Sequence, residues 1–295
     1  MRILLTGGTG FVGSALARRL VADGHELFCV CRPEASIAYG TKVAWDGTGQ
    51  IEAGTFPKAV DAVIHAAQSR NYRHFPGDSR EMFAVNVGMT MLLLDWAAQS
   101  AVKQFCLISS GAVYEPFGGA LHEDSALAPT GFLGASKLAS EVIAKPFSNL
   151  LGLSILRLFF PYGPSQHGRL IPELIRRVRQ GSPVQIAGDA GGLRLTPTFV
   201  DDVVEVILAS ITSSWTGTLN VATPESLSIR QIASCIGREL GIEPKFEITN
   251  AGAAVDMTPD LNRLAARFDL SRFTRFDEGV RRMLACASDP SVSAQ

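Results

Sequence analysis

Short apolar runs and amphipathic stretches alternate through the first half of the chain. RILLT (2–6) is apolar at its interior positions and is predicted to form a buried strand. FVGSALARRLVADG (11–24) carries apolar residues at helical spacing and closes on Gly24, which predicts a helix. ELFCVC (26–31), DAVIHAA (61–67), KQFCLISS (103–110) and LSILRLFF (153–160) repeat the strand pattern. SREMFAVNVGMTMLLLDWAAQSA (79–101) and ASKLASEVIAKPF (135–147) repeat the helical one. Apolar runs this short, separated by helices, predict an α/β fold, a Rossmann-type doubly wound parallel sheet with helices on both faces.

After PYGP (161–164) the texture changes. Helices are expected at 170–181, 229–241 and 276–285, with short strands at 183–188 and 217–222 between them. This half reads as a smaller C-terminal lobe built from 161–195 and 223–287. The Rossmann domain then comprises 1–160 plus a return at about 196–222, and 288–295 is expected to be a mobile tail.

Composition narrows the function. Acids and bases nearly cancel, 28 against 27, for a net charge of −1. That gives nucleic acid or a charged membrane surface no electrostatic foothold. The five cysteines have no metal-ligand spacing and no disulfide pattern, which suits a reducing cytoplasm, and no metal is expected. The N-terminus carries neither a signal nor a transit pattern, and no apolar run reaches membrane-spanning length.

The strongest local signal is TGGTGFVG (6–13), between the first strand and the first helix. Gly7, Gly10 and Gly13 allow a tight turn, approach of a pyrophosphate, and packing of helix on strand. The helix start offers free N–H groups and a positive dipole end to the anion. At the end of the next strand, Cys31-Arg32 replaces the acid that would bind a ribose 2′-OH. Arg32 suits a 2′-phosphate, which favours NADP over NAD.

These pieces together resemble the extended short-chain dehydrogenase/reductases, the NAD(P)-dependent nucleotide-sugar epimerase/dehydratase family. The glycine motif resembles the family's TGxxGxxG, which adds Thr9, Phe11 and Val12 to the expected cofactor contacts. DAVIHAA resembles the strand whose end passes the cofactor (His65, Ala66, Ala67), and Asn86 matches the family's helix asparagine. LISSGAVYE puts Ser110 at the catalytic Ser/Thr position. RLFFPYGP resembles the turn that brings Pro161 and Tyr162 near the nicotinamide. FVDDVVEVI and NVATPESLSIRQIA match the region where the second lobe joins, which the resemblance implies is a smaller C-terminal substrate-binding lobe. The resemblance implies an NAD(P)-dependent epimerase or reductase acting on a nucleotide sugar or related carbinol, and a homodimer packed through the helices at 79–101 and 135–149.

One position departs. The family's Tyr-x-x-x-Lys reads Leu133-Gly134-Ala135-Ser136-Lys137 here. In the family the tyrosine carries the proton, and the i, i+4 spacing sets it beside the lysine, which also holds the cofactor ribose. Leu133 has no proton to exchange. Three readings stay open: another group carries the proton, the chemistry is milder, or the protein binds dinucleotide or nucleotide sugar without turnover. Candidate carriers are Tyr114, Tyr162, Tyr72, Lys137, His65 and the loop acids Glu123 and Asp124. Glu123-Asp124 otherwise reads as a solvated turn. Gly111-Ala112 stands where the family's sugar 4,6-dehydratases carry Asp-Glu, which argues against that reaction. On the substrate side, the family's pyrophosphate arginine falls at Leu195, with Arg194 one residue away as the candidate and Arg169 and Arg176 behind it.

Overall fold

The computed structural model describes residues 1–49, 51–69, 74–118, 121–188, 191–249 and 255–287. In chain order its elements are β1 (Arg2–Thr6), α1 (Phe11–Ala22), β2 (Glu26–Cys31), β3 (Thr41–Ala44), β4 (Ala62–His65), α2 (Ser79–Phe83), α3 (Met89–Gln99), β5 (Gln104–Ser110), α4 (Phe132–Ala144), β6 (Gly152–Leu158) and β7 (Pro161–Tyr162). There follow α5 (Leu170–Arg179), β8 (Val184–Ala187), β9 (Arg194–Leu195), β10 (Thr198–Phe199), α6 (Val200–Thr212), β11 (Gly217–Val221), β12 (Leu227–Ser228), α7 (Ile229–Leu240), β13 (Phe246–Thr249), α8 (Asn262–Ala265) and α9 (Phe276–Ala287).

The chain divides into two compact units: Met1–Pro116, Glu123–Leu158 and Val204–Asn220 form one, and Phe117–His122, Phe159–Val203 and Val221–Gln295 the other. The first holds the sheet, in the order β11-β6-β5-β4-β1-β2-β3. β3, β2, β1, β4, β5 and β6 pair in parallel, each with its neighbour. β1, β4 and β5 are buried along nearly their whole length, as strands covered on both faces must be. Leu4, Val63 and Phe105 from the sheet pack with Leu93, Leu94 and Ala97 of α3 in one core. Full burial of each of the larger of these side chains contributes about 1.5–3 kcal/mol.

Three details differ from the sequence expectation. The helix expected over 79–101 is interrupted by a π-helical turn at Ala84–Gly88 between α2 and α3. An unforeseen strand, β3, lengthens the sheet beyond β2. Residues 196–203, expected with the Rossmann unit, belong to the second, because Thr198 and Phe199 pair with Pro161 and Tyr162.

The second unit has its own core, formed by Ile171, Leu174, Ile175 and Val178 on one face of α5 together with Ile229, Ile232, Ala233 and Ile236 of α7. A capping box starts α7: Ser228 Oγ accepts from the Gln231 N–H and Gln231 accepts from the Ser228 N–H. Gly241, at φ +69°, ends it in the left-handed conformation. Among the described residues no helix is long and apolar enough to cross a membrane, and no group of acidic, histidine and cysteine side chains could hold a metal ion. The expected tail, 288–295, lies outside the described residues, as does Tyr72.

Candidate functional site

At the carboxyl end of β1 the chain turns at Gly7, φ +75°, and enters α1. A Cβ on Gly7 would lie 2.6 Å from the backbone of Ala66, so the loop can pass the end of β4 only without one. A Cβ on Gly13 would lie 2.0 Å from the Gly7 carbonyl oxygen. Helix and loop therefore touch through backbone. No side chain caps α1 at Gly10, and no acidic residue sits in its first turn, so its positive end carries no built-in anion. Thr9 is exposed, and Gly10, Phe11 and Val12 are half-buried. This cradle fits a phosphate group.

The strand ends beside it are tied by a chain of hydrogen bonds. His65 Nδ1 meets Thr6 Oγ1 at 2.7 Å and Nε2 meets Thr90 Oγ1 at 3.0 Å. Thr6 Oγ1 also accepts from the Ala67 N–H at 3.2 Å, fixing the backbone at Ala66–Ala67. Thr90 Oγ1 donates to the Asn86 carbonyl at 2.6 Å, and Asn86 Nδ2 donates to Ser136 Oγ at 2.9 Å. Ser69 N–H and Ser140 Oγ also donate to Asn86. Burial, with the Lys137 charge second, pushes the His65 imidazole down to about 3. His65 is thus a neutral strut and not a base, and its ring has no exposed edge for a ligand. Asn86, expected against the cofactor, is 1 % exposed and spends its side chain on α4 and the loop after β4.

Ser110 ends β5, two strands from the glycine loop on the same sheet edge, roughly 10 Å at the usual strand spacing. Its Oγ accepts from the Ala112 N–H at 3.2 Å and starts a short helical turn, Gly111–Tyr114. The head of α4 crosses this turn closely: a Cβ on Gly134 would lie 2.3 Å from the Ala112 carbonyl oxygen. Leu133, on the first turn of α4, is half-buried. One turn on, Lys137 is buried and its Nζ donates to the Ile108 carbonyl at 2.9 Å. Burial brings its pKa down to about 8, with the Glu141 charge opposing.

The other carriers fare differently. Tyr114 Oη donates to Asn220 Oδ1 at 2.8 Å and accepts from Arg157 Nη1 at 2.7 Å, and burial raises its pKa. Glu123 is not a solvated turn residue: it is buried, and its Oε1 accepts from the Asn220 N–H at 2.8 Å. Asp124 is exposed. Tyr162 lies in the core of the second unit, its ring centroid 5.5 Å from Phe199 and 5.3 Å from Phe276. Its Oη donates to the Phe276 carbonyl at 3.4 Å, and burial drives its pKa strongly upward, which removes it as a base. Pro161 pairs with Thr198 on β10, and its carbonyl accepts from Gln166.

Arg32 is exposed, with its Nε 3.3 Å from Glu34 Oε1. In the second unit Arg194 donates to the Ser226 carbonyl at 2.8 Å and to Gln231 Oε1 at 3.4 Å, while its neighbour Leu195 is fully buried. β9 alternates, so the arginine and the leucine face opposite ways. Arg169 is half-buried at the start of α5, and Arg176 pairs with Glu173 on its surface.

A group the motif reading missed is the buried pair Glu141–Arg157. Arg157 reaches Glu141 by three contacts, from 2.7 to 3.3 Å, and Ser109 Oγ donates to the same carboxylate at 2.5 Å. The signal was present as an arginine inside the apolar run LSILRLFF and an acid four residues after Lys137.

The family model described as the NAD dependent epimerase/dehydratase family matches residues 3–222, and the chain belongs to that family. It is 29 % identical over 278 residues to a UDP-glucose 4-epimerase of Mycolicibacterium smegmatis, covering 85 % of this chain and 87 % of that one. A dTDP-4-dehydro-6-deoxy-D-allose reductase of Streptomyces bikiniensis is 26 % identical over 266 residues, with 81 % of each chain covered. Among solved structures, MoeE5 in complex with UDP-glucuronic acid and NAD superposes with a TM-score of 0.83 at 27 % identity, over 97 % of this chain and 99 % of that one.

Proposed function

We propose that the protein binds NAD(P) through the α1 cradle and carries out hydride chemistry, epimerase-like or reductase-like, on a carbinol of a nucleotide sugar. The observation that carries this is the uncapped helix start behind Gly7 and Gly13, on the same sheet edge as Ser110, with Lys137 of α4 bonded to Ile108 two residues before that serine. A solved neighbour supports the substrate class: MoeE5 holds UDP-glucuronic acid with NAD in one complex and UDP-glucose with NAD in another. A bound nicotinamide would supply the hydride acceptor. Ser110 Oγ polarises the carbinol oxygen. Among the described candidates Lys137 is the proton carrier: it stands one turn after Leu133 on α4, burial brings its pKa to about 8, and to act its buried Nζ exchanges its bond to the Ile108 carbonyl for the substrate. The neutral amine is the base, so oxidation quickens as pH rises toward 8 and levels above it.

For the finer choice, Arg32 supports NADP, since its guanidinium is exposed and paired only at the surface with Glu34. The NAD complexes of MoeE5 support NAD. Arg194 retains a substrate role only by exchanging its bonds to Ser226 and Gln231 for a phosphate. A homodimer through α3 and α4 and a cytoplasmic setting go with this reading.

Calorimetry with NAD and NADP, then nicotinamide absorbance on adding UDP-glucose or UDP-glucuronic acid, tests it. Heat from a dinucleotide and a sugar-dependent absorbance change, lowered about 10²–10⁴-fold by Lys137→Met, are expected. No heat from either dinucleotide overturns the proposal. Leu133→Tyr separates the remaining alternatives: a large gain in turnover marks a carrier position left empty, and a loss marks a pocket shaped around the leucine.

A further inference from the structure

Lys137 and Glu141 lie one turn apart on α4, both buried, and grip consecutive residues of β5. Lys137 Nζ donates to the Ile108 carbonyl, and Glu141 accepts from Ser109 Oγ. The next residue is Ser110. Ser109 stands opposite Arg157 in the β5–β6 register, so Glu141 sits over both. Arg157 then reaches the far end of the serine turn: Nη1 donates to Tyr114 Oη at 2.7 Å and to the Glu123 carbonyl at 3.2 Å. The turn that begins at Ser110 is therefore pinned on both flanks, through Ser109 and through Tyr114, to a single ion pair.

Stability alone does not account for the pair. Its side chains are 1 % and 0 % exposed, and a buried pair of this kind is often no more stabilising than apolar residues of the same volume. What apolar residues cannot reproduce is the directed bond to Ser109 on one side and to Tyr114 on the other.

We propose that Ser109, Glu141 and Arg157 are positioning residues, which hold the Ser110 turn in register with Lys137. The proposal rests on the hydride-transfer reading of this site. None of the three needs to touch substrate.

Ser109→Ala tests it, because Arg157 still neutralises Glu141, and Tyr114→Phe loosens the other flank with little change of shape. Amide hydrogen exchange needs no substrate. In either variant the Ala112 and Glu115 N–H groups should exchange about fivefold faster, the weight of one net hydrogen bond, with β5 protected as before. Unchanged exchange at these two amides overturns the proposal. With UDP-glucose and NAD, kcat should fall about tenfold while KM and dinucleotide affinity hold. A lower melting temperature with kcat unchanged shows a purely structural role and also overturns it. If the unmodified protein turns over neither UDP-glucose nor UDP-glucuronic acid, the hydride reading fails, and the exchange result still decides whether the turn is pinned.

Discussion

Replacing Gly13 by alanine probes the contact on which the phosphate cradle depends. The new Cβ would stand 2.0 Å from the Gly7 carbonyl oxygen and 2.6 Å from its carbon, both backbone atoms that no rotamer change can move. Ordinary contact requires roughly 1.4 Å more, so α1 must lift away from the loop by about that distance. Overpacking of this kind costs about 1–3 kcal/mol, which lowers the melting temperature of a unit this size by about 3–10 °C. The helix N–H groups move with α1. One charge-assisted hydrogen bond to a phosphate is worth about 1.5–3 kcal/mol, so dinucleotide affinity should fall at least about tenfold. Gly10→Ala is the graded control, since its Cβ would meet the Gly7 oxygen at 3.2 Å, a contact that a few tenths of an ångström relieve. Scanning calorimetry and titration calorimetry on the two variants measure both effects. A Gly13→Ala protein that melts and binds like the parent refutes the close-approach argument.

Three more outcomes follow from particular contacts. Because the folded chain accepts His65 only as the neutral ring, the unfolded state takes up a proton that the folded one refuses between the ordinary imidazole value and about 3. Stability is lost as pH falls through this window, by roughly 2–3 kcal/mol near about pH 4.5, and urea melts of His65→Gln should lack that part of the slope. Arg32→Ala should weaken NADP binding about five- to tenfold and leave NAD unchanged, and equal loss for both dinucleotides removes Arg32 from 2′-phosphate recognition. On α3 and α4, Met91 is 41 % and Val142 56 % exposed, so Met91→Glu with Val142→Glu should turn a dimer into a monomer by light scattering; a parent chain that is already monomeric refutes the pairing.

Periodicity made the Rossmann unit legible because its strands are buried on both faces and its helices on one, so each element writes its own pattern. β3 escaped notice because TKVA is an edge strand with one buried residue, Val43, and writes almost none. The π-helical turn at Ala84–Gly88 escaped for another reason: Asn86 gives its carbonyl to Thr90 and Ser140, and no local pattern announces that partnership. Close approaches that a glycine motif demands, at Gly7 and Gly13, could be expected from the chain alone, whereas that of Gly134 to Ala112 could not. Nor could side chains whose role depends on distant partners be named. Tyr114 and Glu123 look like free functional groups along the chain, and only the fold shows both bound to Asn220. Arg194 and Leu195 exchange faces on a single step of β9, a register that counting from Val200 does not reveal.

Gly134 has a consequence for which positions at the head of α4 can change. Where α4 meets the serine turn at Gly134, helix backbone faces the Ala112 carbonyl, with the Pro129 side chain close behind. Position 133 already carries a half-buried side chain, whereas position 134 has no room for one. Even one methyl group at 134 would part the helix head from the turn that Ser110 begins.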